Sequence, residues 1–370
     1  MSQNQKSDGF AVKEILTHTQ PHPDELWAIF LLQQYGEDRY PGISRATIIF
    51  SQTGNKTPDG RTAEEWEKDG VLMVGTGGGR FDEHAKMNGQ PGAKGECAFT
   101  MVCKDLRVCD DPALRRIFPY VRDEDTKGGK GDICSFGNTL KALYEDPDID
   151  HQEAVNIGLK CVRAFYRKEA EFADAEIIVG REGMITVDGA NGPIRILAVE
   201  SENRAISRAG RRRGADVVIQ KHPTGNPANK LAGKVQIYTN RKDGDLDMRD
   251  LVRLLRLEED YCRDRPTKAD WKMLERDGKS QEIGEEWFYH QDGVQILNGS
   301  LSSPEVSPTA IPIRRIVDLA VMAMSRGFES GCGNNHDLTP CRGSRNCRWY
   351  QAGLVRCRKV RYQTAATQTV

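Results

Sequence analysis

Strand-like and helix-like segments alternate from Ile15 onward, and this alternation constrains the fold more than any other feature of the sequence. The extended stretch EILTH leads into HPDELWAIFLLQQYG, whose apolar residues recur at helical spacing and which stops at Gly36. RATIIFSQ and DGVLMVGTG are apolar and contain β-branched residues, as buried strands do. The pattern predicts an α/β fold.

The chain of 370 residues is long enough for two domains and a tail. A helical region that ends with HQEAVNIGLKCVRAFYRKEAEFADA is predicted to close a first domain over residues 12–180. A second domain over residues 181–330 contains the strand-like segments GMITVDG, IRILAVES, ADVVIQKH and KVQIYTN and two amphipathic helices. From Gly331 the composition changes, and residues 331–370 form a basic, cysteine-rich tail.

Charge and hydropathy exclude several classes of protein. The formal net charge is −1, so any nucleic-acid surface must be local rather than global. The longest apolar run, LWAIFLL, is far shorter than the roughly 20 residues that span a bilayer. MSQNQKSDGF lacks the apolar core of a signal peptide, so we expect a soluble, cytoplasmic protein without a membrane partner.

The segment GTGGGRFDEH, residues 75–84, follows a predicted strand and raises three alternatives: a phosphate loop, a metal site or a simple turn. A phosphate loop would need a Gly-Lys-Ser/Thr ending, whereas this run ends Gly79-Arg80-Phe81. The glycines therefore favour a backbone that turns closely around an ion, with Arg80 facing a substrate phosphate.

Histidines and carboxylates cluster at two predicted strand ends, where open α/β sheets bind their ligands. THTQPHPDE contains His18, His22, Asp24 and Glu25, and RFDEH contains Asp82, Glu83 and His84. Mixed imidazole and carboxylate ligands suit Mn²⁺, Zn²⁺ or Fe²⁺. The alternative for each cluster is a surface or hydrogen-bonded histidine without a metal. A third acidic patch, Asp123, Glu124 and Asp125 after a predicted helix, is either a solvated loop or a further source of ligands.

Together these segments resemble the DHH phosphoesterase superfamily, most closely its melanocyte-proliferating-gene exonuclease branch. THTQPHPDE resembles the Thr-His-…-His-x-Asp-Glu motif of that branch, VGTGGGRFDEH takes the place of its Asp-Val-Gly-Gly turn and Phe-Asp-His-His motif, and DEDTKG takes the place of its Asp-Asn-Gly element. The resemblance implies a parallel-sheet catalytic domain followed by a smaller α/β domain that binds the substrate.

The resemblance also implies a phosphodiesterase that uses Mn²⁺, with Mg²⁺ as the alternative. The metal ligands would be His18, His22, Asp24, Asp82 as a bridging carboxylate, and Asp125, with Asp123 as the alternative to Asp125. The residues acting on the phosphate would be Asp82, Glu83, His84 and Arg80. The substrate backbone would be held in the second domain by Asn298, Gly299, Ser300 and His290.

Two positions depart from the family pattern. Gly75 stands where the family's turn has a metal-binding aspartate, and Glu83 stands where the motif has its first histidine. Either the site keeps its charge while one ligand moves, or one of two metal positions is lost.

The tail carries four cysteines, Cys332, Cys341, Cys347 and Cys357. The first three spacings match the start of a CCCH zinc finger, but Gln351 holds the position of its histidine, so Cys357 or His336 would complete a structural Zn²⁺ site. The alternative is a disordered tail with incidental cysteines. Basic residues around Trp349 and Tyr350 predict contact with single-stranded nucleic acid.

These observations predict a metal-dependent hydrolase of a nucleotide or single-stranded nucleic acid. Arg211, Arg212 and Arg213 would help the tail to recruit the polyanion, unless they are simply a solvated helix end. Two rivals stay open. One is a catalytically degenerate member that binds nucleic acid or a nucleotide without cleaving it. The other is a hydrolase of a small phosphoanhydride.

Overall fold

The structure, a computed structural model, describes residues 10–51, 57–84, 92–128, 132–189, 191–240, 246–265, 271–280, 283–292 and 295–325. The chain divides into two compact units, Met1–Ala173 and Asp174–Val370. The division lies inside a long helix that also contains the boundary expected after residue 180. The predicted zinc ligands Cys332, Cys341, Cys347 and Cys357 lie outside the described residues.

The first unit contains a three-stranded sheet whose strands are all parallel, as predicted. Its central strand is β1 (Glu14–His18), flanked by β2 (Thr47–Ser51) and β3 (Val71–Met73) in the order β2-β1-β3. Leu16 lies opposite Ile49 on one side and Met73 on the other. Because the strands run in the same direction, their carboxyl ends meet at one edge.

Helix α1 (Pro23–Tyr35) follows β1 directly and is enclosed in the core of the first unit. It begins with proline, which suits the first helical turn, and ends at Gly36. Its run from Leu26 to Leu32 is buried, and Trp27 packs edge-on against Phe99, with ring centroids 6.1 Å apart. Burial of this helix fixes the position of its first turn beside the end of β1.

The remaining helices of this unit are α2 (Ala63–Lys68), α3 (Ala98–Asp105), α4 (Ile117–Lys127), α5 (Phe136–Glu145) and α6 (His151–Arg181), which continues into the second unit. The acidic patch at residues 123–125, expected in a loop after a helix, lies within the last turns of α4. Helical geometry therefore places Asp123, Glu124 and Asp125 on different faces.

The second unit is built on a seven-stranded mixed sheet in the order β4-β5-β6-β7-β10-β9-β8. The strands are β4 (Met184–Gly189), β5 (Gly192–Glu200), β6 (Val217–Lys221), β7 (Val235–Thr239), β8 (Gly278–Lys279), β9 (Trp287–His290) and β10 (Gln295–Asn298). The helices are α7 (Ile206–Arg212), α8 (Arg249–Cys262), α9 (Trp271–Leu274) and α10 (Ile313–Met324).

The second domain was expected to be the smaller one. This is wrong for its sheet, because the seven-stranded sheet of the second unit is larger than the three-stranded sheet of the first. The segment WFYHQDGVQILN forms two antiparallel strands, β9 and β10, that extend the sheet beyond β7. Among the helices described, none is both long enough and apolar enough to cross a membrane.

Candidate metal centre

The ends of all three parallel strands contribute to one cavity of about 710 Å³ in the first unit. His18 ends β1, Ser51 ends β2, and Gly75 lies in the turn after β3. The other residues that line the cavity are Thr19, Gln20, His22, Asp24, Glu25, Glu83, His84 and Asp125. Residues of both histidine-carboxylate clusters and Asp125 of the third acidic patch thus meet at the sheet edge that the sequence indicated.

The first group of metal-ligand side chains consists of His22, Asp24 and Asp125, whose ligand atoms lie within 4.8 Å of one another. His22 and Asp24 come from the start of α1, and Asp125 comes from the last turn of α4. Asp24 is 3 % exposed, and its Oδ2 accepts a hydrogen bond of 3.1 Å from the backbone N–H of Ala98. Asp123, the alternative to Asp125, instead pairs with Lys127 at the surface.

The second group consists of Asp82, Glu83 and His84, whose ligand atoms also lie within 4.8 Å of one another. Asp82 is buried behind the cavity rather than lining it. Its Oδ2 accepts the backbone N–H of Gly78 at 2.7 Å, and its Oδ1 lies 2.8 Å from Nδ1 of His84. The predicted bridging carboxylate therefore orients His84, while Glu83 and His84 face the cavity.

Glu25 makes the same kind of contact with the other strand-end histidine. Its Oε1 lies 2.9 Å from Nδ1 of His18 and accepts the hydroxyl of Thr17 at 2.7 Å, while its Oε2 accepts the backbone N–H of His22 at 2.7 Å. A carboxylate on one imidazole nitrogen fixes the ring and leaves the other nitrogen available as a metal ligand. The carboxylate of Glu25 also occupies the space beside Gly75, where a Cβ would lie 2.6 Å from Oε1.

Burial, together with neighbouring charges, raises the pKa of three carboxyl groups of the cavity. Burial, followed by the charges of Glu25 and Asp125, raises the pKa of Asp24 well above its usual value. Burial likewise raises the pKa of Asp125, and it raises the pKa of Glu83 to about 7. The hydrogen bond with Glu25 raises the pKa of His18.

A divalent cation fits this donor set. Oε2 of Glu83 is buried and has no hydrogen-bond partner among the described residues, which is costly for a carboxylate oxygen. Several carboxylates share one cavity, and a cation would offset their repulsion. Imidazole nitrogen beside carboxylate oxygen suits a transition ion such as Mn²⁺ better than Ca²⁺.

The raised pKa values predict that the metal-free protein melts at a lower temperature at pH 8 than at pH 6. Asp24, Asp125 and Glu83 bind protons more tightly in the folded state than in the unfolded state, and Glu83 keeps its proton up to about pH 7 when the chain is folded. Stability therefore falls as the pH rises through the folded-state pKa values, and His18 contributes in the same direction. We expect a difference of about 3–6 °C.

Mn²⁺ should reverse this dependence because it needs deprotonated ligands, so its stabilisation should be larger at pH 8 than at pH 6. Differential scanning calorimetry with and without Mn²⁺ measures both effects. Glu83→Gln should flatten the pH dependence and reduce the Mn²⁺ response. Melting temperatures that change with neither pH nor Mn²⁺ would contradict the assignment of a metal centre.

Arg80 lies away from the cavity, in contrast to the predicted phosphate contact. Its Nε and Nη2 donate to the two carboxylate oxygens of Glu67 at 2.7 and 2.6 Å. Its guanidinium also lies 5.6 Å from the centroid of the Tyr40 ring. Glu67 belongs to α2, a helix that the sequence analysis did not identify, so this partner of Arg80 was missed.

The four predicted substrate contacts of the second unit lie around β9 and β10. Asn298 is fully buried, and its amide is used internally: Nδ2 donates to the carbonyls of Glu286 and Ser307, and Oδ1 accepts from the N–H of Thr309. Ser300 contacts Ser302 through its hydroxyl. Gly299 turns with a φ of 72°, and His290 is exposed at the end of β9. The amide of Asn298 therefore stabilises a loop through internal hydrogen bonds and is not presented to a ligand.

Sequence reasoning gave no role to Ser51 and no orienting role to Glu25. Ser51 could have been found from its place at the end of RATIIFSQ, since strand ends line such cavities. The contact of Glu25 with His18 spans seven residues and depends on the turn between β1 and α1. No local pattern predicts the shape of that turn.

In comparisons with known proteins, no family model, no curated protein and no solved structure matches this chain. The relation to DHH phosphoesterases therefore remains a prediction from short motifs. The function has to be argued from the chemistry of the cavity.

Proposed function

We propose that the first unit is a divalent-metal-dependent phosphoesterase that hydrolyses a phosphodiester of a nucleotide or a single-stranded nucleic acid. One observation carries the proposal. Two groups of imidazole and carboxylate side chains, His22–Asp24–Asp125 and Asp82–Glu83–His84, border the same cavity at the carboxyl edge of a parallel sheet. Mn²⁺ is the ion that we propose, with Mg²⁺ as the alternative.

The charge of the cavity supports a phosphate substrate only in the presence of metal. Its lining includes the carboxylates of Asp24, Glu25, Glu83 and Asp125, and among the described lining residues there is no lysine or arginine. A phosphate would be repelled by such a surface. A divalent ion, when bound, would supply a water of lowered pKa and stabilise negative charge on phosphoryl oxygens.

The residues of the chain would orient the reacting groups. Glu25 holds the ring of His18 through Nδ1, and Asp82 holds the ring of His84 in the same way. The remaining imidazole nitrogens can bind an ion or accept a proton, and both rings belong to side chains that line the cavity. Fixed rings lower the entropy cost of arranging the substrate.

The sequence predicts two features that would recruit a long polyanion, the tail and the arginines from Arg211 to Arg213 at the end of α7. Arg213 donates to the carbonyl of Glu182 at 2.9 Å, and Arg211 donates to the carbonyl of Ser207 at 3.1 Å. These bonds favour a packing role for the arginine run. The tail therefore carries the proposed contact with single strands.

Hydrolysis of bis(4-nitrophenyl) phosphate and of a labelled single-stranded oligonucleotide tests the proposal, each with Mn²⁺ and with EDTA. We expect hydrolysis of both substrates that requires Mn²⁺ and is abolished by EDTA. Binding of the oligonucleotide without any hydrolysis would favour the degenerate binder. Hydrolysis of pyrophosphate without action on either diester would favour the small phosphoanhydride substrate.

A further inference from the structure

A second cavity of about 460 Å³ adjoins the metal centre in the first unit. Gln20 and His22 line both cavities, so the two spaces meet at the turn between β1 and α1. The far side of the second cavity is formed by the first turns of α5 and by Glu124 on α4. Nothing in the proposed hydrolysis uses this space.

The walls of the second cavity combine apolar and polar side chains. Pro21, Pro23, Leu140 and Tyr144 form its apolar part, and Ser135, Asn138 and Lys141 also line it. The hydroxyl of Tyr144 donates to the carbonyl of Pro21 at 2.8 Å, which fixes the ring beside the turn. The apolar part of this wall suits a planar ring better than a sugar or a phosphate.

Glu124 supplies an acceptor beside this apolar part of the wall. Its Oε2 is buried and has no hydrogen-bond partner among the described residues. The carboxylate already interacts with the hydroxyl of Tyr120 and the backbone N–H of Gly137, and a Cβ on Gly137 would collide with Oε1. Asn138 donates one N–H of its Nδ2 to the carbonyl of Asp132 at 3.0 Å, which fixes its amide at the edge of the cavity.

The carboxylate of Glu124 favours a ligand that donates hydrogen bonds to it. A phosphate beside this carboxylate would be repelled, although the ammonium group of Lys141, 3.8 Å from Glu145, also lines the cavity. Amino groups of adenine, cytosine and guanine donate hydrogen bonds that a carboxylate accepts. In uracil and thymine the N–H of the pairing edge lies between two carbonyl oxygens, which would oppose the carboxylate.

We propose that the second cavity binds the base of a nucleotide whose phosphate lies in the metal centre, with preference for bases that carry an amino group. The placement of the phosphate rests on the proposed function, whereas the base site depends only on Glu124 and the apolar walls. The substrate class is therefore a nucleotide or a strand end with adenine, cytosine or guanine next to the reacting phosphate.

Isothermal titration calorimetry of the full chain in Mn²⁺ tests this proposal with three probes: AMP, UMP and ribose 5-phosphate. We expect AMP to bind about tenfold more tightly than UMP or ribose 5-phosphate, as one hydrogen bond to a charged group would give. Glu124→Gln should weaken AMP binding toward that of ribose 5-phosphate and leave ribose 5-phosphate binding unchanged. Asp123→Asn is the matched control, since Asp123 is a neighbouring aspartate paired with Lys127, and it should keep the preference.

Gly137→Ala provides a second variant that favours the helix and forces the carboxylate of Glu124 to move. It should also abolish the preference for AMP. Equal binding of AMP and ribose 5-phosphate to the wild type would overturn the base site, whether or not the protein hydrolyses diesters. A preference for AMP that depends on Glu124 in a protein without hydrolysis would retain the base site and reject the proposed function.

Discussion

Replacing Asp24 with asparagine is expected to lower Mn²⁺-dependent hydrolysis of bis(4-nitrophenyl) phosphate by at least about 100-fold. Asparagine keeps the shape of the side chain and can still accept the N–H of Ala98, but it removes one negative charge from the His22–Asp24–Asp125 group. The ion would therefore be bound more weakly. The measurement is kcat/KM over a range of Mn²⁺ concentrations, with the matched control Asp123→Asn at wild-type activity.

Stability separates this explanation from simple unfolding. Burial and the charges of Glu25 and Asp125 raise the pKa of Asp24, so its ionised form is unfavourable in the metal-free protein. Asparagine relieves that repulsion, and the metal-free variant should melt at or above the wild-type temperature at pH 8. Wild-type activity in Asp24→Asn would remove this residue from the metal centre, and a much lower melting temperature would make it a structural residue.

The sequence predicted those parts of the site that depend on the direction of the strands. His18 and Gly75 are separated by more than fifty residues, yet parallel pairing of β1 with β3 brings them to one edge. Asp125 also reaches this edge; its acidic patch was a candidate source of ligands, and the choice of Asp125 within the patch rested on the resemblance to a family motif. The structure adds the physical reason, because the last turn of α4 lies beside the start of α1.

The parts that could not be predicted depend on side chains from elements that the pattern did not reveal. Arg80 pairs with Glu67, which is on the short helix α2, and Asn298 is enclosed by carbonyls from both sides of its loop. In each case the residue type is compatible with ligand binding. Only the location of its hydrogen-bond partners shows that its polar groups are already used.

The family resemblance and the structure lead to different expectations for a substitution at Gly75. If the site had simply lost the family's aspartate, Gly75→Asp would restore a ligand and increase activity. Here a Cβ at this position would lie 2.6 Å from the carboxylate of Glu25, and the φ of Gly75 is 69°. We therefore expect Gly75→Asp to lower the free energy of unfolding by about 3–5 kcal/mol. The cost of a left-handed backbone conformation at a residue with a side chain adds to the cost of a collision with the buried Glu25.

Gly75→Ala and Gly78→Ala separate the cost of the left-handed backbone from the cost of the collision with Glu25. Gly78 has a φ of 67° in the same turn, but a Cβ there would meet nothing within 4 Å. Gly78→Ala should therefore cost only about 1–2 kcal/mol and keep activity, whereas Gly75→Ala should cost more and displace Glu25 from His18. Urea denaturation and the diester assay measure both quantities. If Gly75→Asp were active while Gly75→Ala was not, the new carboxylate would be acting as a ligand, and the expected collision with Glu25 would be wrong.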